Sequence, residues 1–225
     1  LIKQLQKAFF AGRLFNFSET EISQKMMEET RKDLLADLGL NAETHFGSLD
    51  AYVKGDHKYI RDLRINLKMT LESTSLGGKK NAYLIALAVA VNERSNPLIH
   101  AFTEAAKRDG ATDAEIAEVH AIASLLATNN VFYRFRHFSE NKVYEQMQAG
   151  IKMTIMARPV LPKMFFELIS LVVSAVNGCE VCVNSHEKSV REAGGSEQII
   201  FDAIRLAAVV RGVVVSMHET ESVGV

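Results

Sequence analysis

Apolar residues recur at helical spacing along nearly the whole chain, and no stretch alternates apolar and polar positions in the way a half-buried strand requires. The first 45 residues divide into two helical segments. Leu1, Leu5, Ala8 and Phe9 share one side of the first, and a capping box, Ser18 with Glu21, opens the second. Lys3, Lys7 and Arg13 make the first segment basic and amphipathic, a character we assign to packing on the body or on another subunit rather than to a membrane surface. Gly39, Asn41, Gly47 and Gly55 mark 39–56 as a connector with a short helical piece, and the spacing predicts a helix over 58–71.

Beyond that point the pattern repeats. A shift of 84 residues without a gap superposes Leu84, Ile85, Leu87 and Val89 on Leu168, Ile169, Leu171 and Val173, and Gly110 on Gly194. Each copy reads as an apolar helix, a break, an amphipathic helix, a glycine stop and a third helix. In the first copy the third helix opens with the capping box of Thr112 and Glu115 and carries Ile116, Val119, Ile122, Ala123 and Leu126 on one face. Residues 129–138 and the loop Arg158-Pro159-Val160-Leu161-Pro162 join the halves, with the two prolines fixing the turn. The expected fold is therefore all-α: a helical extension over 1–45, then one domain over 46–225 whose repeats span about 78–138 and 161–218.

Composition narrows the class. At 225 residues the chain can bury one sizeable core. Lys and Arg number 26 against 27 Asp and Glu, and no basic stripe interleaves with aromatics, so nucleic acid is not an expected partner. No apolar run reaches the length of a membrane span, and the first residues lack the order of a signal peptide, so the expected location is cytoplasmic. The two cysteines stand three residues apart with none elsewhere, a poor structural framework but an arrangement suited to redox chemistry or metal binding.

Those cysteines, Cys179 and Cys182, follow an Asn177-Gly178 break between apolar segments and so fall at the start of a helix. A helix N-terminus favours a thiolate, and His186, four residues after Cys182, shares its face and can take a proton. In one straight helix Glu167 would lie about 18 Å from Cys179. A reversal at Asn177-Gly178 instead brings it alongside His186, which puts a carboxylate, a base and two sulfurs along one groove. The same four residues could also supply a zinc site. His100 and His120 read as core or interface histidines, His45, His57, His137 and His218 show no readable partner, and the eight methionines suit core packing.

The order Glu167-x11-Cys179-x2-Cys182-x3-His186 resembles the active-site signature of the alkylhydroperoxidase D (AhpD) family of the carboxymuconolactone decarboxylase superfamily. The resemblance extends over roughly 46–218 and includes Asn129-Asn130-Val131-Phe132-Tyr133-Arg134 and the stretch from Met153 to Lys163. It implies a homotrimer and a thiol-dependent antioxidant enzyme that reduces alkyl hydroperoxides or passes electrons to a peroxiredoxin partner. It also implies that electrons come from a dihydrolipoyl group on a lipoyl-carrying protein. The cofactor is then the Cys179–Cys182 redox disulfide itself, with nothing else bound. Cys182 attacks, Cys179 closes the disulfide, His186 moves the proton and Glu167 orients it. Asn129, Asn130, Tyr133 and Arg134 are expected to hold the helix junction. Val181 stands where the family has a histidine, so any proton path through that imidazole is missing. By the 84-residue shift Tyr83, Ser95, Leu98 and Phe102 occupy the equivalent positions in the first repeat, which is expected to be silent. A cofactor-free decarboxylase of the same superfamily is the alternative enzyme, though its chemistry does not call for a cysteine pair.

Overall fold

The computed structural model describes residues 18–217; the expected first helix and His218 lie outside them. Ten helices, α1 to α10, follow in order over Glu19–Asp37, Gly47–Lys54, Tyr59–Leu71, Lys79–Asn92, Asn96–Arg108, Asp113–Phe138, Val143–Gln146, Lys163–Val176, Glu180–Glu192 and Glu197–Ser216, and there is no strand among the described residues. The fold is all-α. No helix among them is long and apolar enough to cross a membrane.

Two apolar helices, the first of each repeat, sit at the centre. Leu84 to Ala90 of α4 are buried on every side, as are Phe165 to Ser174 of α8, which is what a helix without a polar face requires. α4 turns back on α5 and α8 on α9, while the long α6 and α10 cover the two hairpins, α6 packing on α4 and α8 and α10 on α4, α8 and α3. Met27, Leu34 and Leu35 of α1 enter the same core as α3 and α4, so α1 is packed against the body.

The hairpin breaks obey the 84-residue offset down to single hydrogen bonds. The N–H of Ser95 donates to the carbonyl of Ala90 at 3.0 Å, and that of Cys179 donates to Ser174 at 3.1 Å. Both turns pass through the left-handed region, at Arg94 (φ 59°) in the first copy and Gly178 (φ 68°) in the second. Glycine is the low-cost residue there, and the second copy has it.

Two buried carboxylates, also 84 residues apart, lock the halves to each other. Glu118 on α6 accepts the N–H groups of Val160 at 2.7 Å and Leu161 at 2.6 Å, in the loop that leads into α8. Asp202 on α10 accepts the hydroxyls of Ser73 at 3.0 Å and Ser75 at 2.5 Å, in the loop that leads into α4. The third helix of each repeat thus fixes the entry to the first helix of the other.

One joining segment is itself helical: residues 129–138 form the last turns of the 26-residue α6. Asn129 and Asn130 favour turns over helix interiors, yet both are buried here and held by side-chain partners, which outweighs propensity.

Candidate thiol site

The site is built on the α8–α9 hairpin. Pro162 leads into α8, Asn177 ends it, Gly178 reverses the chain, and Cys179 in extended conformation caps α9. Cys182 is the third helical residue. The Cys179 side chain makes no capping hydrogen bond, so the first N–H groups of α9 lack a side-chain cap and both cysteines lie in the first turn, at the helix's positive end. Cys179 and Cys182 are joined in a disulfide with their Cα atoms 5.3 Å apart. Cys179 is fully buried, whereas Cys182 keeps 7% exposure.

Glu167, one turn into α8, is 3% exposed, and its Oε2 lies 2.7 Å from His186 Nδ1. This is the approach that a reversal at Asn177-Gly178 produces. With Nδ1 engaged, Nε2 is the nitrogen left for exchange with a thiol. The other carboxylate oxygen, Oε1, sits 2.6 Å from Lys163 Nζ. Burial pushes the Glu167 carboxyl up, but hydrogen bonds and charge from His186 and Lys163 outweigh it and hold the group below its ordinary value. The carboxylate is therefore anionic at neutral pH.

A pocket of about 360 Å³ opens onto this machinery. α9 contributes Val181, Cys182, Ser185 and His186; α6 contributes Leu126, Asn129 and Tyr133; Met153 and Met156 close it from the segment before α8. Cys182, not Cys179, faces it. Apart from the reactive groups its walls are largely apolar.

The α6 motif divides by face. Asn130 and Arg134 hold the hairpin turn: Asn130 Nδ2 donates to Ser174 Oγ at 3.1 Å, Asn177 Nδ2 donates to Asn130 Oδ1 at 2.9 Å, and Arg134 donates to the carbonyl of Asn177 at 2.7 Å. Asn92 and Asn177 exchange a reciprocal pair of amide bonds at 2.9 and 3.1 Å, tying the two hairpin turns together. Asn129 and Tyr133 instead line the pocket, contrary to the expectation that all four serve the junction.

Other expectations are corrected too. His100 is exposed and His120 half-buried in the single chain, which leaves the interface rather than the core as the reading for His100. His45 meets Asp50 at 3.0 Å, His57 accepts the N–H of Tyr59 at 3.3 Å, and His137 approaches Glu180 at 3.6 Å. Met27 and Met217 are core residues, but Met69 and Met147 are exposed. Sequence reasoning gave no site role to Met153, Met156 or Lys163, although they fall in the 153–163 stretch that carries the resemblance, nor to Glu118 and Asp202, which the 84-residue shift aligns. The four residues suited to zinc do not form a ligand set in this state, since the sulfurs are bonded to each other and His186 Nδ1 is engaged by Glu167.

A helical hairpin carrying a Cys-x-x-Cys disulfide beside a buried Glu–His pair, on a twice-repeated helical frame, defines a class that comparison with known proteins identifies. The carboxymuconolactone decarboxylase family matches residues 74–137 and 143–218. Its relatives include proteins named alkyl hydroperoxide reductase AhpD. The one from Rhodopseudomonas palustris strain BisB18 is 40% identical over 172 residues, covering 76% of this chain and 93% of the relative. That from strain BisA53 is 38% identical over 160 residues, with 71% and 87% covered, and that from Bradyrhizobium sp. strain BTAi1 is 38% identical over 161 residues, with 71% and 87% covered. The chain belongs to the AhpD family of the carboxymuconolactone decarboxylase superfamily.

Proposed function

We propose that this chain is a thiol-dependent peroxidase that reduces alkyl hydroperoxides through its Cys179–Cys182 pair. The observation that carries the reading is the disulfide at the N-terminus of α9, its outer sulfur on the pocket wall beside a His186 anchored by Glu167 at 2.7 Å. The name borne by its relatives supports the same chemistry.

In the cycle, a dithiol donor first reduces the disulfide. Cys182 then loses its proton to His186, favoured by the helix N-terminus, and the thiolate attacks the peroxide. A sulfur–oxygen bond forms, the oxygen–oxygen bond breaks, and the alkoxide takes the proton from the imidazolium and leaves as alcohol. Cys179 attacks the Cys182 sulfenic acid, water leaves, and the disulfide is restored. Two electrons pass from dithiol to peroxide, so no further cofactor is required. Glu167 fixes the imidazole tautomer and stabilises its charged form. The apolar pocket walls favour a substrate with an alkyl or aryl group.

The family suggests a dihydrolipoyl group on a lipoyl-carrying protein as donor and a peroxiredoxin as a second acceptor, in a cytoplasmic homotrimer. The decisive experiment is dihydrolipoamide-dependent reduction of an organic hydroperoxide by the purified protein, alone and with a peroxiredoxin added. Turnover alone supports the peroxidase; turnover only with the peroxiredoxin supports the disulfide-reductase form; neither refutes the reading. A cofactor-free decarboxylase would be unaffected by loss of both cysteines, and a zinc protein would carry stoichiometric metal after purification.

A further inference from the structure

Lys163 stands at the outer end of the Glu167–His186 pair. Its Nζ lies 2.6 Å from Glu167 Oε1 and 3.0 Å from the carbonyl of Met156, and rests 5.6 Å over the Phe166 ring. Three contacts from one ammonium hold it in place although the side chain is 53% exposed. One turn separates it from Glu167 on α8, so the two meet by helical spacing alone. We propose that Lys163 is a positioning residue of the thiol site: it clamps the Glu167 carboxylate in the orientation that faces His186 and shares its negative charge, so setting how tightly the imidazole holds a proton.

The carboxylate has two oxygens and two cationic partners. When the imidazole is neutral, lysine alone neutralises the buried anion. When His186 takes the thiol proton, the imidazolium must share that anion with the ammonium and is held less tightly than it would be as sole partner. A proton held less tightly is more readily returned to the departing alkoxide, which is the second half of the acid–base task.

Among the described residues, the Glu167 carboxylate has no ion-pair or hydrogen-bond partner besides His186 and Lys163. α6 brings Glu118, occupied by the N–H groups of Val160 and Leu161, Arg134, held on the carbonyl of Asn177, half-buried His120, and Tyr133 in the pocket wall. α9 brings Glu187, half-buried and next to His186 in sequence, with Glu180 facing His137, Lys188 facing Glu192 and Arg191 facing Glu197. α10 brings Asp202 with Arg205 and Arg211 with Glu93, α4 packs through its apolar run, and Lys152 and Arg158 are exposed on the preceding segment. Of the influences on Glu167 after burial, those of His186 and Lys163 dominate.

The inference rests on the peroxidase reading for its purpose but not for its test. The titration of His186 is followed by NMR in the oxidised protein, where no turnover is needed, in wild type, Lys163→Met and Lys163→Arg. Unit charges a few ångströms apart at a half-exposed boundary couple by about 0.5–1 pH unit. The His186 midpoint is expected to rise by that amount in Lys163→Met and to stay at the wild-type value in Lys163→Arg. The pH profile of hydroperoxide reduction should move upward with it in Lys163→Met alone. Equal midpoints in wild type and Lys163→Met, or an equal rise in Lys163→Arg, overturn the proposal. A midpoint shift in a protein without peroxide turnover upholds the coupling and refutes the peroxidase. Lys163→Gln provides the same readout if the methionine variant does not fold.

Discussion

Cys182 and Cys179 differ by a few per cent of exposure, and under the proposed cycle that difference suits Cys182 to attack and Cys179 to close the disulfide. Cys182 meets the pocket and shares a helix face with His186, while Cys179 is sealed behind it. Replacing Cys182 by Ser is expected to abolish turnover, whereas Cys179→Ser should still attack once and stall as an adduct on Cys182. Mass spectrometry of trapped adducts decides this, and adducts confined to Cys179 in the Cys182→Ser protein would reverse the roles. Glu167 provides a second test, made sharper because Val181 removes the family's other imidazole. In Glu167→Gln the imidazole loses its anion and takes the thiol proton less readily, so the rate near neutral pH should fall by about 10- to 1000-fold. Raising the pH should recover part of the loss, since the thiolate of a thiol with ordinary pKa about 8.5 then forms unaided. Wild-type rates from pH 6 to 9 would make Glu167 a structural residue. These four residues were legible in the sequence because helical spacing and one turn place them. Asn129 and Tyr133 were not, because the motif that contains them also contains Asn130 and Arg134, and only the packing of α6 shows which face looks into the pocket.

At the scale of elements, the hairpins were readable and the links between them were not. Apolar periodicity and the Asn177-Gly178 break announce α8 and α9, but nothing local says that Glu118 holds the loop before α8 or that Asp202 holds the loop before α4. Both are acids on otherwise amphipathic helices, where a solvated role is the default. Glu118→Ala strands two backbone N–H groups, that of Leu161 buried, and should cost about 2–4 kcal/mol in denaturant unfolding. An unfolding curve unchanged within experimental error would show the loop to be held by packing alone. Asp202 adds a pH dependence. Hydrogen bonds from Ser75 and Gln198 hold its carboxyl below the ordinary value despite burial, helped by Ser73 and Arg205. A depressed folded pKa gives stability that is complete above the unfolded value of about 3.9 and is lost as pH falls through the folded one. Asp202→Asn should therefore be less stable than wild type at pH 7, with the gap closing below about pH 4. A gap that persists undiminished at pH 2 would assign the loss to shape rather than charge.

The whole molecule is one frame used twice with one set of chemistry. The first repeat keeps the hairpin and its turn but carries Ser95, Leu98, Phe102 and Tyr83 where the second carries its thiols, imidazole and carboxylate. Leu98 and Phe102 are buried there and bring neither a thiol nor a base to the equivalent positions. That repeat was visible in the sequence because its apolar positions and glycine stop are local. The cross-links that join the copies depend on tertiary contact and became visible only with the fold. The central claim is that the second repeat carries a complete two-electron cycle within one chain. Pre-reduced protein mixed with one equivalent of an organic hydroperoxide tests it, with free thiols, alcohol product and disulfide mapped together. The account predicts that two thiols disappear and one alcohol forms per chain, with Cys179 joined to Cys182. Thiols that remain titratable while the hydroperoxide persists would contradict it.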